Sequence, residues 1–159
     1  MPLPTATCAY CCSCGPPKTA VYPFPFVSVA NMTQVFAVFV VSHLVGDYLF
    51  QTDWQARNKT FGLGSDPVAR RALFSHVLMY TLAFVPAVVW IAANTTTLAI
   101  GLVAVIFIPH LVQDDARALI AWNRLVKRGS LAPGDPVYMA VDQSFHVVIL
   151  FATALLAMA

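Results

Sequence analysis

Histidine and aspartate carry nearly all the reactive chemistry of this chain of 159 residues, which has four histidines, seven aspartates and no glutamate. Three histidines sit one helical turn from an aspartate, as His43-x3-Asp47, His110-x3-Asp114 and Asp142-x3-His146, and His76 stands alone between them. On a helix, residues four apart point the same way and are about 6 Å apart along the axis. Each pair can therefore offer a nitrogen and a carboxylate oxygen to one centre. His43, Asp47, His76, His110, Asp114, Asp142 and His146 are the expected metal ligands, and seven such donors are close to what two divalent ions require. Imidazole and carboxylate without thiolate suit zinc, manganese or iron(II) better than copper(I) or an iron–sulfur cluster. Two metals about 3.5–4 Å apart activate water and stabilise the leaving oxygen of a phosphate or other ester. A single zinc lowers the pKa of its bound water to about 7. Gln51, one turn beyond Asp47, and Asp115, beside Asp114, are the expected catalytic helpers, orienting water and accepting its proton.

The elements that position these residues follow from composition. The chain is 59% hydrophobic and 10% charged, whereas charged residues make up about 25% of soluble proteins. It reads as an integral membrane protein. A charged side chain costs roughly 2.5–3.5 kcal/mol near the bilayer centre on insertion scales, so ionisable residues recurring in such helices point to function. A span needs about 20 residues for a ~30 Å core, and four stretches qualify: Thr33–Thr52, Leu73–Ala93, Thr97–Gln113 and Tyr138–Ala159. The expected fold is all-α, a four-transmembrane-helix up-down-up-down bundle spanning 32–159. The short link Asn94-Thr95-Thr96 makes the second and third helices antiparallel neighbours.

Charge orients that bundle. Arg57, Lys59, Arg70, Arg71, Arg117, Arg124, Lys127 and Arg128 fall in the two long connections, Asp53–Ala72 and Asp114–Val137, and Lys18 is alone on the other side. The positive-inside rule then places both long loops in the cytoplasm and both termini outside. Trp54, Trp122 and Tyr138, with Trp90 at the outer end, fit an interfacial aromatic belt. Every His/Asp set falls on the cytoplasmic side of this topology, which argues for one shared site. Pro109 is expected to kink the third helix beside His110, and Gly46 to let helices approach closely.

Asp114 to Arg128 reads as a cytoplasmic amphipathic helix after the third span. Arg117, Arg124 and Arg128 share one face, and Ala118, Leu119, Trp122, Leu125 and Val126 cover the other. Such a helix anchors the loop in the headgroup layer, and with Arg57 and Lys59 it offers cations to anionic lipid headgroups. Asp53 and Asp66 read as solvated or capping groups, and Asp135 before Pro136 as turn chemistry or a cap. A net charge of +2 without a Lys/Arg run implies no nucleic-acid partner. Residues 1–31 read as a disordered tail, or as an upstream extension with Met32 the first residue. Cys8, Cys11, Cys12 and Cys14 fall in that tail at a spacing compatible with zinc or an iron–sulfur cluster, although zinc sites usually draw on two separated pairs.

The run from His43-Leu-Val-Gly-Asp47 through Gln51 to Lys59, with His76, His110-x3-Asp114 and Asp142-Gln-Ser-Phe-His146, resembles the bacterial and phage membrane proteins of domain-of-unknown-function family 3307. The resemblance runs from about Met32 to the C-terminus, and the tail before it has no counterpart. More distantly, the pattern is similar to inner-membrane metal-dependent hydrolases, which also place His and Asp in short apolar helices. That likeness implies a hydrolase. The residues leave three other readings open: proton or metal-ion transport, which one-sided polar residues would support only in a homo-oligomer; b-type haem binding through paired histidines; and a structural membrane module with a satisfied polar core.

Overall fold

The computed structural model describes residues 31–95, 98–129 and 132–158, and the four cysteines and residues 1–30 lie outside the described residues. The regular elements among the described residues are all helical. Helix α1, Met32–Leu44, opens on a capping box in which Asn31 and Gln34 each accept the other's backbone N–H, satisfying donors a helix start leaves free. It runs straight into a π-helical turn, Val45–Leu49, closed by Phe50 N–H donating to the Val45 carbonyl at 2.9 Å. The connection after it is not a plain loop, because a second capping box (Thr52 with Gln55) nucleates the short helix α2, Asp53–Asn58. Gln55 also donates to Ser75 Oγ at 3.0 Å, tying α2 to α3.

Helix α3, Pro67–Ala83, starts with Asp66 accepting from Val68 N–H and with Pro67 in the first turn, where its missing N–H costs nothing. Helix α4, Val85–Asn94, bends away from α3 by 42° at Phe84. Pro86 explains the bend, since it offers no N–H to the Leu82 carbonyl and disfavours helical geometry at Val85. Helix α5, Ala99–Asp114, runs unbroken through Pro109. A sharp bend comes later: α6, Arg117–Trp122, which continues as a π-helical turn Asn123–Lys127, departs from α5 by 63°. Ala116, with φ of 70°, forms that elbow. Helix α7, Pro136–Ala157, is the longest at 22 residues.

Met32–Leu49 and Pro136–Ala157 are each long and apolar enough to cross a bilayer, and the bent pairs α3–α4 and α5–α6 raise the count to four if each is one span. Leu98, Ile100, Val89 and Val148 point outward and are more than 60% exposed, as a lipid-facing surface requires. Inside, Val35, Phe39, Phe84, Ile91, Leu102, Ile106, Leu150 and Ala154 form one apolar core. Those residues lie on α1, at the α3–α4 bend and on α4, in the first half of α5 and in the second half of α7. The opposite ends of the same helices carry the polar residues.

Candidate metal centre

The last turns of α1 and α5 meet the first halves of α3 and α7, and their polar side chains converge. All four histidines are 2% exposed or less. Four ligand-type atoms, one each from Asp47, His76, His110 and Asp114, lie within 4.8 Å of one another. His76 Nε2 is 2.8 Å from Asp114 Oδ2, 3.2 Å from Asp47 Oδ1 and 3.1 Å from His110 Nε2. His110 Nε2 is in turn 3.2 Å from Asp114 Oδ2. The edges of a tetrahedron with metal bonds of about 2.0–2.1 Å are about 3.3–3.4 Å long, so a few tenths of an ångström of expansion would admit a four-coordinate ion.

The hydrogen bonds within this cluster leave one acceptor over. His146 Nδ1 lies 2.9 Å from the Asp142 backbone carbonyl, which only accepts, so Nδ1 carries a proton. A neutral His146 then has a lone pair on Nε2, 2.8 Å from His110 Nδ1, so His110 donates from Nδ1. This leaves the lone pair of His110 on Nε2, 3.1 Å from His76 Nε2 and 3.2 Å from Asp114 Oδ2. The histidine pair thereby sets the tautomer a metal ligand needs. His76 Nε2 can hold one proton, which donates to that lone pair. Asp47 Oδ1 is buried with no hydrogen bond in acceptable geometry, despite the short approach of His76. A buried acceptor left this way costs about 1–3 kcal/mol or more.

The other expected site residues take different places. His43 stands outside the cluster because both ring nitrogens are engaged: Nδ1 is 3.2 Å from the Tyr80 hydroxyl and Nε2 donates to Gln143 Oε1 at 2.9 Å. Its expected pairing with Asp47 is lost because the π-helical turn intervenes, and in a turn closed i to i+5 residues four apart no longer line up. Gln143 bridges them instead, donating to Asp47 Oδ2 at 2.9 Å. That bond orients Asp47 so that its other oxygen faces the centre. A second ligand-type group, Asp114, Asp142 and His146, shares Asp114 with the first. His146 has no free nitrogen for it, with Nδ1 on the Asp142 carbonyl and Nε2 on His110.

Gln51 Nε2 is 3.2 Å from both ring nitrogens of His76. Its amide presents either a donor or an acceptor by turning over, so it can hold His76 in either tautomer. Asp115 points away from the centre. Its carboxylate accepts from Leu63 N–H at 2.7 Å and pairs with Arg117 at 3.2 Å, while its carbonyl accepts from Phe61 N–H. That position gives no support to a catalytic Asp115. It is a clasp between the α2–α3 connection and the α5–α6 elbow, reinforced by Arg117 over the Phe61 ring.

Three residues of the centre went unnoticed as such in the sequence. Lys59, at the end of α2, places Nζ 2.9 Å from Asp114 Oδ2 and 3.8 Å from Asp47 Oδ1. Burial lowers the pKa of its ammonium, but Asp114 and Asp47 more than offset that and hold it above the ordinary lysine value. Tyr80 lays its ring parallel to His110 at 3.4 Å between centroids, fixing the imidazole plane. It lies one turn after His76, a spacing that would have flagged it. Gln143 is the third, inside the Asp142-Gln-Ser-Phe-His146 run. Gly46 explains the close approach of α1 and α3: a Cβ there would fall 2.9 Å from the Tyr80 ring and 3.1 Å from its Cα.

A cavity of about 360 Å³ opens beside the cluster, its lining including Asp47, Gln51, Lys59, Asp114 and Asp142. Helices long and apolar enough to cross a membrane thus enclose a buried His/Asp group that could hold an ion, an arrangement consistent with a membrane protein carrying a candidate metal site. The chain belongs to the family described as "Protein of unknown function (DUF3307)", which it matches over residues 35–159. No curated protein and no solved structure matches it.

Proposed function

We propose that this protein is a four-span, up-down membrane metalloenzyme that binds one divalent ion through Asp47, His76, His110 and Asp114 and hydrolyses an ester at the cytoplasmic membrane face. The observation that carries this reading is the convergence of four buried ligand-type atoms within 4.8 Å of one another, with the His110 tautomer fixed by His146 and Asp47 Oδ1 left without a hydrogen bond. A cation among them would satisfy that acceptor. When bound there, a divalent ion supplies an acidified water and polarises an ester oxygen. One ion fits better than two because His146 is spent on fixing His110. Zinc suits the compact four-donor set, with manganese and iron(II) as competitors.

The protein side of the chemistry falls to residues around the cavity. Asp142, 3.8 Å from His146 Nδ1 and partly open to the cavity, replaces Asp115 as the carboxylate able to take a proton from water. Gln51 holds His76, and Gln143 holds Asp47. The eight basic residues of the two long connections favour a cytoplasmic cavity mouth by the positive-inside rule, and the resemblance of the His/Asp pattern to inner-membrane hydrolases supports the hydrolase reading.

Transport is the weaker reading, since the apolar core of Phe39, Phe84, Leu102 and Ile106 fills the bundle beyond the cluster. Haem binding is disfavoured because ring nitrogens 3.1 Å apart leave no room for a porphyrin between them. Metal analysis of the purified protein tests the proposal. One equivalent of a divalent ion is expected in the wild type, with a large loss in Asp47→Asn. Purified protein that takes up no stoichiometric ion from zinc, manganese or iron(II) would refute it.

A further inference from the structure

The lining of the cavity beside the cluster includes polar groups that no protein group uses. Gln113 Nε2 and the Tyr138 hydroxyl are buried without a hydrogen-bond partner among the described residues, and both residues line the cavity with Lys59. Tyr138 is 7% exposed, so water at the surface does not satisfy it. Leaving a buried polar group unmade costs about 1–3 kcal/mol, and two such groups on one small wall call for a shared occupant. The Lys59 ammonium, the Gln113 amide N–H and the Tyr138 O–H are all donors available to that occupant. Its matching surface is therefore a set of acceptor oxygens carrying negative charge.

We infer that Lys59, Gln113 and Tyr138 form a phosphoryl-binding subsite, and that the ester handled at the neighbouring metal centre is a phosphate ester rather than a neutral one. The inference rests on the metal reading above. Asp47, Asp114 and Asp142 against Lys59 leave the lining with a formal charge of −2, which would repel a phosphate. A divalent ion cancels that charge, so anion binding depends on metal. Free phosphate and the phosphomonoester headgroup of a lipid present the same oxygens, and the π-helical turn after α6, with its exposed Leu125 and Val126, would place a lipid source within reach.

The test uses the full chain in nanodiscs, zinc-loaded and metal-free, with Tyr138→Phe and Gln113→Leu. Zinc content is measured first, and then the binding of inorganic phosphate and of phosphatidic acid in the disc, against phosphatidylcholine alone. Tyr138→Phe deletes only the unpartnered oxygen, so a tyrosine needed merely for packing would show no effect on anion binding. The expected result is zinc-dependent binding of phosphate or phosphatidic acid, weakened about tenfold in each variant at unchanged zinc content, the loss of one hydrogen bond to a charged group. Binding by phosphatidic acid alone assigns the lipid source, and binding by both assigns the phosphoryl group in general. Zinc retained with no anion bound, or anion affinity unchanged in both variants, overturns the subsite while leaving the metal centre standing. A wild type without zinc removes the metal reading first, and this inference with it.

Discussion

The two ends of this bundle are built from the same helices on opposite rules. At one end Val35, Phe39, Ile91, Leu102, Ile106 and Leu150 meet through non-directional contact, where volume and rotamer matter and the identity of each apolar group matters little. At the other end, His43, Asp47, His76, His110, Asp114, Gln143 and His146 are joined by directed contacts mostly of 2.8–3.2 Å. Each atom there has an assigned donor or acceptor role, and an isosteric change is enough to break it. Tyr80 belongs to both regions, packing on Phe84 on one side and stacking on His110 on the other. A membrane bundle gains little from polar contacts between helices, about 0.6 kcal/mol on average. Retaining so many buried together is therefore better explained by function than by stability.

Substitutions that sharpen this contrast can be ranked by expected size. Asp114→Asn should have the largest effect, because Asp114 meets His76, His110 and Lys59 at once: stoichiometric metal disappears on elemental analysis. A mutant that keeps full metal content would break the contrast at its centre. Next, Gln143→Leu removes the bridge between His43 and Asp47. Competition titration with a chelator should show metal affinity falling on the order of 10–100-fold, the usual cost of losing a group that orients a ligand.

A pH effect follows from Lys59. Its pKa is raised above 10.5 in the folded protein. Its contribution to stability is then complete below that value and is lost as pH rises through the higher folded value. In metal-free protein, thermal unfolding should show this alkaline fall in the wild type and lose the Lys59 part of it in Lys59→Met. Asp115→Asn removes the ion pair with Arg117 and weakens the clasp on Leu63. It should lower thermal stability by about 1–2 kcal/mol with metal affinity little changed. The smallest effect is expected for Leu150→Met in the apolar end, under about 1.5 kcal/mol, with no change in metal content.

The helical class and the apolar stretches were legible from periodicity and hydropathy alone, because apolar runs of that length have few other solutions. The neighbourhood of the site was also legible, since His76 and the His110–Asp114 and Asp142–His146 pairs sit at the same end of their helices. Its inner assignment was not. The π-helical turn at Val45–Leu49 breaks the i, i+4 logic for His43 and Asp47, and no local residue preference announces it. Lys59 counted as a loop charge because its approach to Asp114 spans 55 residues and depends on where α2 ends. Asp115 and Asp114 are adjacent in sequence, yet the left-handed Ala116 elbow turns that segment out of the helix and sends the two carboxylates to different tasks.

The contact between Lys59 and Asp114 also constrains how the molecule is made. When the first hairpin enters the bilayer during synthesis, Lys59 has only the more distant Asp47 as an acidic partner, and His76 has not yet met α5. The nascent half-protein thus carries buried polar groups whose companions are still to be translated. Its early helices must wait near the interface, or in the care of the insertion machinery, until the later ones arrive. A chain cut short before residue 98 should for that reason be cleared by proteolysis rather than persist as a stable hairpin.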